Sequence, residues 1–195
     1  SPLILKIIPS TIYQDTSYSR KLINKGERKV FRLLEDIDFG NLHDIALHSL
    51  NMTNADWKRW SETDFIIISK LGLLVIEVKG GSISCNNGIW EYSGKKTKKS
   101  PGTQAKDAFF HLDNNYIQTN QEISEITRNV PMGWCCVFPH IARIMPEGYL
   151  LPEQGDEITC YKDECINEQN FKGFLNRVYA HYISVMKEQG RKKIG

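Results

Sequence analysis

Two apolar runs joined by a very short connection constrain this chain more than any other feature. Asp64-Phe65-Ile66-Ile67-Ile68-Ser69 is followed by Lys70-Leu71-Gly72, and then by Leu73-Leu74-Val75-Ile76-Glu77-Val78-Lys79-Gly80. Ile and Val enrichment favours strands, and Gly72 marks the turn between them. The segment therefore reads as a β-hairpin. Side chains alternate across a strand, so Glu77 and Lys79 share a face with Val75, while Ile76 and Val78 take the other. A loop at Lys70-Leu71 sets Asp64 opposite Glu77, and a loop at Leu71-Gly72 sets it opposite Lys79. Either register places the three polar groups together, with facing Cβ atoms about 5 Å apart.

Acids at the end of a buried strand carry a cost. An isolated buried carboxylate is strongly disfavoured, and two neighbouring ones raise each other's proton affinity. A divalent cation relieves both effects, and Mg²⁺ takes one or two carboxylates together with water and substrate phosphate. Asp64, Glu77 and Lys79 thus form a donor set for a hard cation with an adjacent ammonium. The bland alternative is a structural ion pair at a sheet edge, since short motifs of this kind are common by chance.

The rest of the chain supplies an ordered context. The spacing of Val30, Leu33, Leu34 and Ile37 predicts a helix from about Ser19 to Asp38, with Glu27 one turn before Val30 and on its inward face. A strand is expected over His43–Leu50 and an early one over Leu3–Ile8. A second hairpin runs from Ser82 to Tyr92, turning at Asn86-Asn87-Gly88. Pro101 opens a helix expected to continue from Gly102 to Arg128, with Ala105, Ala108, Phe109, Leu112 and Tyr116 inward. Met132–Phe138 reads as a buried strand and Glu157–Tyr161 as a last one. Asn167 is placed to cap a terminal helix that turns Phe171, Phe174, Leu175, Val178 and Tyr182 inward.

The order of these signals resembles the nuclease-related domain (NERD) family of the PD-(D/E)XK nuclease superfamily. Gly26-Glu27, Glu62-Thr63-Asp64-Phe65, Glu77-Val78-Lys79-Gly80-Gly81, Gly88-Ile89-Trp90, Pro101 to Ala105 and Val137-Phe138-Pro139 carry the likeness, which is strongest over 25–140. The resemblance implies an α/β fold with a restriction-endonuclease-like α-β-β-β-α-β core, a mixed central sheet flanked by helices. It treats residues 1–195 as one domain, with 157–190 a C-terminal strand and helix extension. It implies a Mg²⁺- or Mn²⁺-dependent DNA nuclease with Asp64, Glu77, the Val78 carbonyl and Glu27 toward the metal. Lys79 would position the attacking water, and Gln104 would support the site or contact nucleic acid. Related nucleases often carry an aromatic four residues after the glutamine, where this chain has Ala108. Glu62 shares parity with Asp64 but reads as a solvated strand-entry charge.

Net charge is only +2, from 25 Lys and Arg against 23 Asp and Glu, so distribution matters more than total. Lys95, Lys96, Lys98 and Lys99, with Lys106 beyond, form a dense basic segment between the second hairpin and the Gln104 helix. It reads as a loop able to contact phosphates, or else as a solvated surface. Five cysteines include no C-x-x-C pair and no zinc spacing. Cys135 and Cys136 read as buried small hydrophobes, and reduced thiols fit a cytoplasmic setting. The histidines, including His43, His48 and His111, read as satisfied structural or surface residues. Apolar runs are strand-sized, so no membrane span is expected, and no signal peptide is read.

The chain starts at Ser1 and ends Gly190-Arg191-Lys192-Lys193-Ile194-Gly195 directly after a helix, which reads as a domain taken from a longer protein. By resemblance the expected continuation is a C-terminal helicase or other DNA-processing domain. Two further functions stay in view. One is a non-catalytic DNA-positioning module, and the other a protein-interaction domain anchored on Trp57 and Trp60.

Overall fold

The computed structural model describes residues 4–8, 25–41, 43–48, 64–92, 94–143 and 154–194, with side chains described as far as 190. The connector holding Trp57, Trp60 and Glu62 lies outside them.

A six-stranded sheet forms the centre: β1 (Lys6–Ile8), β2 (Ile45–His48), β3 (Phe65–Ser69), β4 (Gly72–Val78), β8 (Met132–Val137) and β9 (Thr159–Cys160), side by side in that order. β2, β3 and β4 are antiparallel neighbours, whereas β1 runs parallel to β2, and β8 lies parallel to both β4 and β9. A smaller antiparallel sheet follows β4 in sequence: β5 (Ile83–Asn86), β6 (Ile89–Tyr92) and β7 (Lys95–Thr97).

The helices are α1 (Lys25–Glu35), α2 (Pro101–Leu112), α3 (Gln121–Thr127) and α4 (Glu168–Ile194). α1 and α4 bury Val30, Phe31, Leu34, Phe171, Phe174, Leu175, Val178 and Tyr182 with Ile67, Leu74, Ile76 and Val78 in one core. On the other face, Phe109 and Leu112 of α2 pack with Ile66 and Val75. The strict in–out alternation of β4 is thus filled on both sides, and all of its residues are buried. Full burial of each such side chain contributes about 1.5–3 kcal/mol. In chain order, α1, β2, β3, β4, α2 and β8 reproduce the expected helix, three strands, helix and strand. The molecule is mixed α/β with helices on both faces of a mixed sheet.

The first hairpin takes the register that sets Asp64 opposite Glu77. Ser69 pairs with Gly72 and Phe65 with Ile76, leaving Lys70-Leu71 as the loop. Gly72 has φ +145°, and a Cβ there would collide with the Pro131 carbonyl oxygen, so no other residue fits without backbone movement. The second hairpin turns at Asn87-Gly88, both with positive φ, as a two-residue turn with strand-matching twist demands.

Several expected boundaries shift. α1 stops at Glu35, and Asp38 instead forms an isolated bridge with Ile4. Residues 19–24 and 49–50 lie outside the described set. The helix expected over 102–128 is broken. A π-helical turn at Asp113–Ile117 follows α2, and α3 starts afresh after Asn120, whose side chain accepts from the Ile123 N–H. The wider turn rephases the helix, so Ile117 is buried where Tyr116 was expected. Glu157 belongs to a 3₁₀ turn, and only Thr159–Cys160 form the last strand. Lys95 and Lys96 lie in strand β7 rather than a loop, because they pair with Tyr92 and Glu91 of β6. The Asn167 cap is present, its side chain accepting from the Asn170 N–H at 2.8 Å.

Because β9 is only two residues long, it pairs with Cys136 and Val137 but stops short of Trp134. The Tyr182 hydroxyl of α4 fills the gap. It accepts from the Trp134 N–H at 2.9 Å and donates to the Trp134 carbonyl at 2.5 Å.

Candidate active site

Four polar side chains meet at the far end of β3 and β4 from the Lys70-Leu71 turn. Glu77 is the penultimate residue of β4 and is 3 % exposed. Two residues on and on the same face, Lys79 places Nζ 2.9 Å from Glu77 Oε1. Asp64, just before β3, accepts the Val78 N–H on Oδ2 at 2.7 Å. The next amide, Lys79 N–H, instead serves the β8 ladder by donating to the Val137 carbonyl at 3.0 Å. Alternation then turns the Val78 carbonyl to the same side as Asp64. Glu27 arrives from the first turn of α1, is buried, and shares a hydrogen bond with the Asp64 carboxyl.

That shared bond requires a proton between two carboxyl groups. Burial, together with the charge of Glu77, pushes Glu27 up to about 7 against the opposing pull of its bond to Asp64 and of Lys79. Asp64 keeps some exposed surface as a residue, but its carboxyl is enclosed; burial and then Glu27 raise it well above the carboxylate range. Burial lowers the Lys79 ammonium, but Glu77, Asp64 and Tyr92 outweigh it and hold Lys79 above its ordinary value. The cluster therefore keeps a proton where a cation would suit the oxygens better.

Among the described residues, no group of three or more His, Cys, Asp or Glu side chains is arranged to enclose a metal ion. Only an ion that takes fewer protein ligands could be held here. Mg²⁺ is satisfied by one or two carboxylates and completes its shell with water and phosphate. Asp64 and Glu77 offer such oxygens, with the Val78 carbonyl beside them and Glu27 behind.

Gln104 joins this group. Its side-chain amide donates to the Tyr92 hydroxyl, and with Glu77, Lys79 and Lys99 it lines a cleft of about 310 Å³. Lys99 also pairs with Asp107 at 2.9 Å. Of the remaining predicted basic residues, Lys95, Lys96, Lys98 and Lys106 are exposed, with Lys96 3.9 Å from Glu91.

Two residues of the site escaped sequence reasoning. Tyr92 lies beneath Lys79, with Nζ 4.4 Å from its ring centroid, a cation–π contact that fixes the ammonium. Its parity with the buried Trp90 on β6 was the available signal. His48 is fully buried, stacked on Phe65 at 4.6 Å, with Nε2 3.6 Å from Glu27 Oε2. It was expected to be a satisfied or surface residue. Instead, neither ring nitrogen has a hydrogen-bond partner among the described residues, and burial lowers it to about 4. His43 and His111 are exposed as expected.

A mixed sheet covered on both faces, with acids gathered at the ends of two adjacent strands, defines an α/β fold of the PD-(D/E)XK kind. The nuclease-related domain family matches residues 23–139, from α1 through β8 and every acid just described, and the chain belongs to that family. No curated protein and no solved structure matches it. Among the described residues, no helix is long and apolar enough to cross a membrane.

Proposed function

We propose that this nuclease-related domain is a Mg²⁺- or Mn²⁺-dependent DNA nuclease. The observation that supports it best is the convergence of Glu27, Asp64 and Glu77 with Lys79 at one end of the hairpin. Asp64 and Glu77 would hold the metal, with the Val78 carbonyl and Glu27 completing the protein's share. Bound there, the ion would polarise the phosphate and make its water more acidic.

The chain's own residues do the remaining work. Lys79, held between Glu77 and the Tyr92 ring, presents a fixed ammonium to the water and to the phosphate charge. Gln104 anchors Tyr92 from α2 and so fixes the underside of that ammonium. Lys99 stands in the same cleft as a phosphate contact, and Lys95, Lys96, Lys98 and Lys106 extend the basic surface around it. A reducing cytoplasm is the proposed setting, and a helicase or other DNA-processing domain in the same protein is the proposed partner.

Cleavage of labelled single- and double-stranded DNA with Mg²⁺ or Mn²⁺ tests this, comparing the native chain with Asp64→Ala and Lys79→Ala. Metal-dependent cutting abolished by both substitutions is the expected result. Retained DNA binding with no cutting by the native chain would refute the nuclease and favour a DNA-positioning module.

A further inference from the structure

A second cleft of about 500 Å³ is lined in part by Tyr92, which also accepts from Gln104 and carries Lys79 over its ring, both residues of the first cleft. Tyr92 therefore links the lining of this cleft to the residues of the other. Gly80 and Gly81, which directly follow Lys79, form another part of its lining. A Cβ at Gly81 would meet nothing within 4 Å, so the backbone is open to approach there. Lys25 also lines the cleft. It sits two residues before Glu27 on α1, so one helical turn serves both places.

The chemistry of the cleft is cationic. His140 lines it and accepts the Gly81 N–H on Nδ1 at 2.8 Å. That bond leaves the ring proton on Nε2, a donor. Burial first, and then the charges of Lys29, Lys162 and Lys25, oppose protonation of His140, and the Lys162 N–H donates to the carbonyl of Ile141, the next residue, at 2.8 Å. Glu91 is the one carboxylate among the described lining residues, and Lys96 lies 3.9 Å from it. Several ammonium groups around one neutral donor, with a bare glycine backbone beside them, form a site for phosphodiester oxygens.

We propose that this cleft is a second phosphate-binding subsite, in which Lys25, Lys29, Lys162 and His140 hold the DNA backbone next to the phosphate seated at Glu77 and Lys79. The subsite rests on the nuclease reading of the acid cluster and gives the bound strand a direction, past Tyr92 from one cleft to the other.

Fluorescence anisotropy of a labelled DNA oligonucleotide in EDTA, measured across a salt series, tests it. The triple variant Lys25→Gln, Lys29→Gln, Lys162→Gln is expected to weaken binding about tenfold or more. It should also flatten log K against log salt by roughly 0.7–0.9 for each phosphate no longer neutralised. A charge-matched control, Lys70→Gln, Lys172→Gln, Lys187→Gln, should stay within about twofold of native, on the same principle. If the triple variant melts early, Lys162→Gln alone must still lower the slope by roughly 0.7–0.9. Equal losses in variant and control, or none in the variant, overturn the subsite while cleavage by the native chain keeps the nuclease reading. A native chain that neither binds nor cuts DNA overturns both.

Discussion

Buried Glu27 costs the fold stability when it is charged, and replacing it tests the electrostatics of the cluster without reference to activity. Its pKa rises from an ordinary 4.5 to about 7, first through burial and then through Glu77. At about 1.4 kcal/mol for each tenfold change in proton affinity, the charged form costs the fold about 3 kcal/mol. The sign follows from proton counting. Between pH 4.5 and 7 the native state holds a proton that the unfolded chain has released, so this group's contribution to stability falls as pH rises. The cost is complete above pH 7 and absent below 4.5. Glu27→Gln keeps the shape and removes the charge. In EDTA, urea unfolding should show the variant more stable than native by about 2–3 kcal/mol at pH 8, with little difference near pH 5. Saturating Mg²⁺ should narrow the gap by stabilising the native chain more than the variant. A difference that does not change with pH, or a variant less stable at pH 8, would refute the reasoning.

Four other outcomes follow from the same geometry. His48 has the opposite pH sign: its pKa falls from 6.5 to about 4, so stability is lost as pH drops through that window. His48→Phe should remove most of that acid sensitivity, about 3 kcal/mol in urea unfolding between pH 7 and 4. Lys79→Met should lower cleavage at least about a hundredfold while binding of DNA in EDTA falls only slightly, measured by gel assay and anisotropy. Tyr92→Phe removes the hydroxyl that accepts from Gln104, and should cost about 1 kcal/mol in urea unfolding, the loss of one neutral hydrogen bond, while cutting cleavage about tenfold under conditions where the variant is fully folded. Gly72→Ala forces a Cβ against the Pro131 carbonyl at positive φ, and should cost about 3 kcal/mol or more in urea unfolding.

The parts of the fold legible in the sequence were those fixed by local periodicity. Asp64, Glu77 and Lys79 were readable together because strand parity and a two-residue loop leave few arrangements, and Glu27 because helical spacing ties it to Val30. Tyr92 and His48 were missed because their meaning comes from groups distant in sequence, Lys79 and Glu27. β7 carries only Lys-Lys-Thr, and nothing local makes that a strand; the exposed edge of β6 does. The break after α2 left one local mark, Asn120, whose capping role competes with continuing the helix. The shortness of β9 had no periodic mark, since a 3₁₀ turn over Asp156–Ile158 takes up the residues before it.

The Tyr182 hydroxyl that occupies both backbone groups of Trp134 also guards against self-association. Unpaired strand backbone is a template for another chain, and here a side chain from α4 closes it. The family match stops at residue 139, well before α4 begins. A protein cut at that boundary would lose the tyrosine and, with Phe171, Phe174, Leu175 and Val178, α4's share of the apolar cover on the sheet face it holds jointly with α1. It would then present β8 as an open, sticky edge, so the unit that folds is longer than the unit that is recognised.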